Sequence, residues 1–149
     1  MRRPVRRAVG ALAAAAVVVA PATAATPATK VPKRVPISNF TSSQFGKVLA
    51  DKQGQALYYW NKETKARIRC TGSCARAWPV VYVPNGVSVP RRIRGYRGVF
   101  GTVRRPDNGR RQLTWNNRPV YSYANERPRE VKCDNVDKWF VVRLSTTRR

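Results

Sequence analysis

The chain has 149 residues, of which 30 are lysine or arginine, 7 are aspartate or glutamate and none is histidine, so its formal net charge is +23. The absence of histidine excludes Ser-His and Cys-His nucleophiles, imidazole acid–base catalysis and histidine-ligated zinc. The strong positive charge predicts an anionic partner, and the predominance of arginine among the basic residues suits phosphate, sulfate and carboxylate groups.

The amino terminus has the pattern of a secretory signal peptide. Four arginines within the first seven residues precede an apolar run of small side chains over positions 11–20, and Ala22-Thr-Ala24 follows as a cleavage site. The apolar run is about half the roughly 20 residues that span a bilayer, which favours cleavage over membrane anchoring. We therefore expect residues 1–24 to be removed, leaving 149 − 24 = 125 residues, a single-domain length.

Residues 25–40 are rich in proline, threonine, alanine and lysine, a composition typical of a flexible basic arm. The single β domain is expected over 41–149. Its first strand is predicted at 46–50, followed by a turn in which Gly54 takes the left-handed position and by a return strand at 55–60. A short buried strand is predicted at 80–83, before Pro84-Asn-Gly86.

Residues 91–98 indicate a basic loop or edge strand, and clearer strands follow it. β-branched and aromatic residues predict strands at 99–104, 110–115, 118–123 and 138–144. Asn116 and Asn117 stand where a two-residue type I′ turn needs two positive φ angles. The mature chain shows no apolar stripe of helical period, so we expect an all-β fold of antiparallel hairpins.

One skeleton occurs twice in the mature chain. The spacing Tyr-x-aromatic-x-x-Glu followed by a cysteine seven positions later recurs at an offset of 63 (121 − 58), in the residues Tyr58, Trp60, Glu63 and Cys70, then Tyr121, Tyr123, Glu126 and Cys133. Trp78-Pro-Val-Val is repeated as Trp139-Phe-Val-Val at an offset of 61 (139 − 78). This predicts two pseudo-equivalent repeat units, at about 46–83 and 100–144, that share one core.

The repeated side chains allow two kinds of interpretation. The aromatic residues could form a platform that stacks on sugars or bases, or they could pack the cores of two equivalent hairpins. Glu63 and Glu126 could be an acid–base pair of the glycosidase kind or ligands of calcium, or each could accept hydrogen bonds from backbone or arginine. Occurrence in both units favours the structural interpretation, so we expect neither a catalytic residue, a metal site nor a cofactor.

The three cysteines allow more than one pairing. Cys70 and Cys74 can close a tight loop through Gly72, and either of them can instead pair with Cys133. The chain-entropy model gives the small ring roughly 2 kcal/mol and the larger rings roughly 4 kcal/mol, but geometry decides between them.

The repeated strings resemble the bacterial family of secreted repeats of unknown function, predicted lipoproteins with a Tyr-x-aromatic-x-x-Asp motif. Cys70-Thr-Gly-Ser-Cys-Ala-Arg-Ala-Trp-Pro79 is the most specific of these strings, and the resemblance covers about 46–144. It implies an extracytoplasmic envelope protein, brings no established activity, and supports a Cys70–Cys74 disulfide with Cys133 as the odd thiol. Here Glu63 and Glu126 replace the usual aspartate.

A run of arginines with a single acid, Asp107, lies between positions 91 and 111. It predicts a surface that binds anionic envelope polymers or nucleic acid backbone without sequence specificity, through Arg91, Arg92, Arg94, Arg97, Arg104, Arg105, Arg110 and Arg111. The leading hypothesis is therefore a secreted, non-enzymatic protein that anionic polymers retain at the cell wall. An extracytoplasmic thiol or electron-transfer accessory protein is the alternative, and a hydrolase that uses Glu63 and Glu126 is a distant third.

Overall fold

The structure is a computed structural model that describes residues 34–144. The predicted signal peptide and the arm up to residue 33 lie outside that range. Within it, no helix is long and apolar enough to cross a membrane. The elements are β1 Ser38–Ser42, β2 Gly46–Ala50, β3 Tyr58–Trp60, α1 Ser73–Ala77, β4 Phe100–Arg104, β5 Arg111–Trp115, β6 Arg118–Tyr121 and β7 Trp139–Val141. The predicted all-β fold is thus confirmed, with one short helix added.

β1 and β2 form a two-stranded antiparallel sheet, and β1 begins inside the segment predicted as a flexible arm. Phe40 pairs with Val48 in this sheet and is buried in the core, whereas its neighbours Asn39 and Thr41 are exposed. This alternation of one buried aromatic between polar residues is the period of a half-buried strand, so residues 38–40 are held by the core.

The remaining strands form one antiparallel sheet in the order β4-β5-β6-β3-β7. The β5–β6 turn has φ angles of 45° at Asn116 and 65° at Asn117, as predicted for a type I′ hairpin. Gly54, with φ of 85°, also takes the left-handed position predicted for it. Asparagine and glycine tolerate this backbone region better than other residues do, so both turns could be read from local chemistry.

The return strand predicted at 55–60 is only partly correct. Its first half makes one bridge to β2, between Ala56 and Ala50, and its second half, β3, pairs with β6 and β7. The strand predicted at 80–83 contains only isolated bridges, from Val80 to Tyr121 and from Tyr82 to Gln112. The partners of β3 and of the segment 80–83 are distant in sequence, and local propensity does not encode them.

The five-residue helix α1 was not predicted, because it is too short to show a helical period. It lies in the loop between Cys70 and Trp78 and has no buried residue.

Two hydrophobic clusters use alternate residues of the same strands. Tyr58 lies in one cluster and Trp60 packs against it, whereas Leu57 lies in the other with Tyr59 against it. The strand therefore alternates between the two clusters with a period of two residues. It places the aromatic residues of the repeated motif in a single cluster, together with Tyr121, Trp78 and Trp139.

Candidate functional site

Each buried tyrosine of the motif donates a hydrogen bond from its phenolic O–H group to the glutamate of the other copy. Tyr58 Oη lies 2.5 Å from Glu126 Oε1, and Tyr121 Oη lies 2.8 Å from Glu63 Oε2. Tyr58 and Tyr121 are themselves paired across β3 and β6, and both are fully buried. A buried carboxylate is costly unless it accepts hydrogen bonds, and a buried phenol needs an acceptor, so each pair satisfies both requirements.

Each glutamate also fixes the loop that follows it in its own copy. Glu63 Oε1 accepts the backbone N–H groups of Arg69 at 2.5 Å and Cys70 at 2.6 Å. Glu126 Oε1 accepts the N–H of Lys132 at 2.6 Å. Arg69 and Lys132 are related by the repeat offset of 63 (132 − 69). The carboxylates therefore connect the two copies and organise the cysteine-containing loops.

The two carboxylates differ in one respect. Both oxygens of Glu63 accept hydrogen bonds, whereas Glu126 Oε2 is buried and receives none from any residue that the structure describes. Burial, the largest cause, raises the pKa of Glu126 above its ordinary value, although Tyr58 and Lys132 act in the opposite direction. Burial, and then the glutamate partner, also raise the pKa of Tyr58 and of Tyr121, so both phenols stay protonated in the folded protein.

Four aromatic rings stack in a column beside these pairs. The rings of Trp78 and Trp139, which are equivalent in the two copies, lie 3.8 Å apart at an angle of 6°. Trp60 stacks on Trp139 at 5.4 Å and 4°, and Tyr123 contacts Trp78 at 4.8 Å and 37°. Both ends of the column, Trp60 and Tyr123, are partly exposed, whereas both central indoles are buried.

The buried tyrosines contact the column edge-on. Tyr58 meets Trp78 at 5.4 Å and 74°, and Tyr121 meets Trp139 at 5.2 Å and 89°. Offset-stacked and edge-to-face contacts of this kind contribute about 0.5–1.5 kcal/mol each beyond the apolar area they bury.

The backbone pairing between the two copies is also reciprocal. Tyr58 pairs with Val141, and the equivalent Tyr121 bridges to Val80. Leu49 N donates to Val142 O at 2.9 Å, and Leu113 N donates to Val81 O at the same distance. In each case the segment that follows the motif tryptophan of one copy pairs with a strand of the other copy. Positions matched by the repeat therefore make matching contacts, while superposition of the two whole units stays a prediction.

These contacts bring all eight repeat-motif residues together, in line with the structural interpretation of the motif. Tyr58 and Tyr121 are too deeply buried to stack on an external sugar or base, which leaves only Trp60 and Tyr123 for such contacts. Glu63 is fully buried and Glu126 is 7% exposed, so the geometry gives the hydrolase hypothesis no carboxylate open to substrate. The absence of any enzymatic activity stays a prediction.

The predicted disulfide between Cys70 and Cys74 is present, and Cys133 is a buried free thiol. Burial, assisted by the nearby Glu126, raises the pKa of the Cys133 thiol, which disfavours the reactive thiolate. Cys70 is fully buried, and its backbone N–H donates to Glu63. Cys70 also lies in the same hydrophobic cluster as Tyr58 and Tyr121, so its surroundings are those of a structural disulfide.

Arg105 must be removed from the predicted anion-binding set. Its side chain is fully buried, and its guanidinium donates to both oxygens of Asp107, to Gln112 Oε1 and to Cys70 O. All three guanidinium nitrogens are therefore used inside the protein. Asp107 forms an ion pair with Arg105. The hydrogen bond from the Arg105 guanidinium is the largest cause that lowers the pKa of the Asp107 carboxyl. Nothing in the charge pattern distinguished this arginine from its exposed neighbours.

Three of the other predicted arginines line a cleft at the tip of the β4–β5 hairpin. The cleft has a volume of about 410 Å³, contains no acidic residue in its lining, and is bounded by Tyr82, Val83, Pro84, Asn85, Arg104, Asn108, Gly109, Arg110 and Arg111. The Arg110 guanidinium lies over the Tyr82 ring, 3.5 Å from its centroid. Tyr82 Oη also accepts a hydrogen bond from Asn108 Nδ2 at 2.9 Å.

Tyr82 and Asn108 were missed by the sequence analysis. Tyr82 follows the first repeat motif, outside any charge run, and Asn108 lies within the arginine-rich segment but is itself uncharged. The segment 80–83 lies beside β5, as the bridge between Tyr82 and Gln112 shows. A prediction of that pairing would have placed Tyr82 next to the β4–β5 hairpin.

The other predicted arginines, Arg91, Arg92, Arg94 and Arg97, belong to a loop beside the opposite end of the hairpin. The Arg91 carbonyl accepts a hydrogen bond from the backbone N–H of Phe100, and the Arg97 carbonyl accepts one from the indole N–H of Trp115. Phe100 and Arg104 are four residues apart along β4, which corresponds to roughly 13 Å. All four side chains are exposed. The positive charge is therefore distributed along the whole hairpin rather than concentrated in one patch.

Comparison with known proteins gives one match. A family model described as a secreted repeat of unknown function matches residues 41–82, which contain β2, β3, α1 and the first copy of the motif. No curated protein and no solved structure matches the chain. The matched segment holds Glu63, the Cys70–Cys74 disulfide and Trp78, the residues on which the resemblance in the sequence was based. The similarity to the family of secreted repeats of unknown function is therefore shown for residues 41–82, which hold the first copy of the motif.

Proposed function

We propose that this protein is a non-enzymatic secreted protein that binds anionic polymers through the basic β4–β5 hairpin. The observation that carries the proposal is the cleft at the hairpin tip, in which Arg104, Arg110 and Arg111 line one cavity with no acid among its lining residues. Retention at the cell wall by envelope polymers would follow from this binding.

Local contacts hold these arginines without using up their donors. Arg104 Nη1 donates to Gly109 O at 3.1 Å, and Arg111 Nη1 donates to Val87 O at 2.9 Å. A guanidinium has five N–H groups, so most donors of each side chain remain for a ligand. Partial preorganisation lowers the entropy that a phosphate or sulfate contact would otherwise cost, and guanidinium forks match these anions.

The exposed arginines at the other end of the hairpin extend the basic surface. A single phosphate would fill only the cleft, whereas a polymer could also approach Arg91 to Arg97 along the hairpin. We therefore expect nonspecific, salt-dependent binding to polyanions, because contacts to phosphate carry little sequence information.

The test is a titration of the mature protein with a labelled DNA duplex, used as a generic polyphosphate, across a series of salt concentrations. If six phosphates are neutralised, affinity should fall about 10³-fold between 50 and 200 mM salt. Changing Arg104, Arg110 and Arg111 together to Gln should reduce the slope of log affinity against log salt by about 3.

The matched control changes Arg67, Arg69 and Arg76 to Gln. These three exposed side chains lie around the disulfide loop, outside the cleft, and their loss removes the same charge. The proposal fails if binding is insensitive to salt, or if the cleft variant and the control variant lose affinity equally. Competition with long-chain polyphosphate and with an acidic polysaccharide then ranks the polymer classes.

A further inference from the structure

The four stacked rings of the repeated motif are side chains that can be oxidised by one electron, a property that polymer binding does not use. Neighbouring ring centroids in Trp60, Trp139, Trp78 and Tyr123 are separated by 5.4, 3.8 and 4.8 Å. Indoles and phenols are the side chains that lose a single electron most readily after thiols, and electrons move quickly between rings in contact. The column thus connects a partly exposed indole at one end to the buried centre of the protein.

The buried tyrosines complete this chemistry. A phenol that loses an electron becomes a strong acid, so it is oxidised easily only where a base can take its proton. Tyr58 Oη lies 2.5 Å from the carboxylate of Glu126 and its ring contacts Trp78. The electron path and the proton acceptor therefore meet at one residue.

We propose that the column transfers single electrons from Tyr58 to a one-electron oxidant at Trp60, with Glu126 as the acceptor of the phenolic proton. The oxidant, an anionic radical, takes one electron from the Trp60 indole and is reduced. An electron passes from Trp139 to Trp60, from Trp78 to Trp139 and from Tyr58 to Trp78, while the Tyr58 proton moves to Glu126 Oε1. The products are the reduced oxidant, a neutral Tyr58 radical and a protonated Glu126.

The differences between the two copies favour Tyr58 over Tyr121 as the final donor. The Glu63 carboxylate is stabilised as an anion by three hydrogen bonds, from Tyr121 Oη and two backbone N–H groups. Glu126 receives two, and its other oxygen is buried without a partner among the described residues. Glu126 therefore has a carboxylate oxygen that no donor among these residues occupies, and it can take up the phenolic proton without losing a second hydrogen bond at that oxygen.

The surroundings of Trp60 suit an anionic reactant. The Lys62 ammonium lies 5.3 Å from the Trp60 ring centroid, and the whole chain has a formal charge of +23. A positive surface raises the local concentration of anions and their rate of encounter.

The experiment is pulse radiolysis of the full mature protein with the carbonate radical anion as the probe. We expect an indole radical that decays as a tyrosyl radical rises, at a rate independent of protein concentration and slower in D₂O. Tyr58→Phe should remove most of that tyrosyl signal. Glu126→Gln should slow its rise by about 100-fold, the lower end of what a positioned proton acceptor contributes.

The matched control is Tyr59→Phe, which changes the adjacent phenol on the opposite face of the strand, where it contacts Trp115 and Phe140 instead of the column. It should leave the kinetics as in the parent. An unchanged tyrosyl signal in Tyr58→Phe would overturn the proposal. So would transfer in the parent protein that depends on protein concentration or shows no isotope effect, a result that does not require any variant to fold.

Discussion

Alkaline pH should destabilise this protein through two specific phenols. Tyr58 and Tyr121 are fully buried, and burial followed by the glutamate partner raises the pKa of each. In the unfolded chain a tyrosine ionises near pH 10, whereas both phenols remain protonated in the folded protein. Because the pKa is raised on folding, the associated stability is complete below pH 10 and is lost as the pH rises above it.

The size of the effect follows from the number of protons released on unfolding. Each phenol that ionises only in the unfolded chain lowers the free energy of unfolding by about 1.36 kcal/mol per pH unit, so two phenols give about 2.7. Integrated from neutral pH to pH 11.5, the loss is about 2 kcal/mol for each tyrosine and about 4 for both. That is a large part of the 5–15 kcal/mol typical of a folded domain.

The assay is urea unfolding followed by circular dichroism at several pH values between 9 and 11.5. It should use Cys133→Ser as the parent, because the raised pKa of the buried thiol adds its own loss of stability at lower pH. Tyr58→Phe and Tyr121→Phe should each remove about half of the pH dependence above pH 10. A stability that stays flat to pH 11.5, or an unchanged slope in both variants, would refute the reasoning.

Three further predictions concern stability and cysteine chemistry. Arg105→Leu should lower the free energy of unfolding by about 3 kcal/mol, because it leaves buried acceptors unpaired. Chemical denaturation measures this change, and a variant as stable as the parent would contradict the prediction. Gly98→Ala should cost about 2 kcal/mol or more in the same assay. Gly98 has φ of +105° and an added Cβ would lie 2.2 Å from the Trp115 indole nitrogen; an unchanged midpoint would contradict this. Non-reducing peptide mapping should link Cys70 to Cys74, and a thiol reagent should label Cys133 only after denaturation; labelling of the native protein would show that this thiol is accessible.

Local chemistry was sufficient to predict several elements. β-branched and aromatic runs located β2, β4 and β5 to within one residue, and adjacent asparagines located the β5–β6 turn. These features depend on residues close in sequence, so a single sequence contains their cause. The repeat offset also identified which side chains are equivalent, although not how equivalent side chains would meet.

The crossing of the two copies could not be derived in that way. An offset predicts that Glu63 and Glu126 have similar surroundings, and it is equally consistent with each glutamate binding the tyrosine of its own copy. In the structure the hydrogen bonds run between the copies instead, from Tyr58 to Glu126 and from Tyr121 to Glu63. The antiparallel pairing of β3 with β6 decides this, because it sets Tyr58 beside Tyr121 at the centre of the sheet.

The sequence by itself determined the charge, the lack of histidine chemistry, the β class and the positions of the repeated motif, because composition and short-range patterning specify them. Only the tertiary structure decided which charges are available. Arg105 and Arg104 are neighbours in one basic run, yet Arg105, the first residue after β4, is buried, whereas Arg104, the last residue of β4, is exposed. A buried guanidinium is tolerated only where fixed acceptors surround it. Here Asp107 is two residues away in the chain, whereas Cys70 and Gln112 reach Arg105 only through folding.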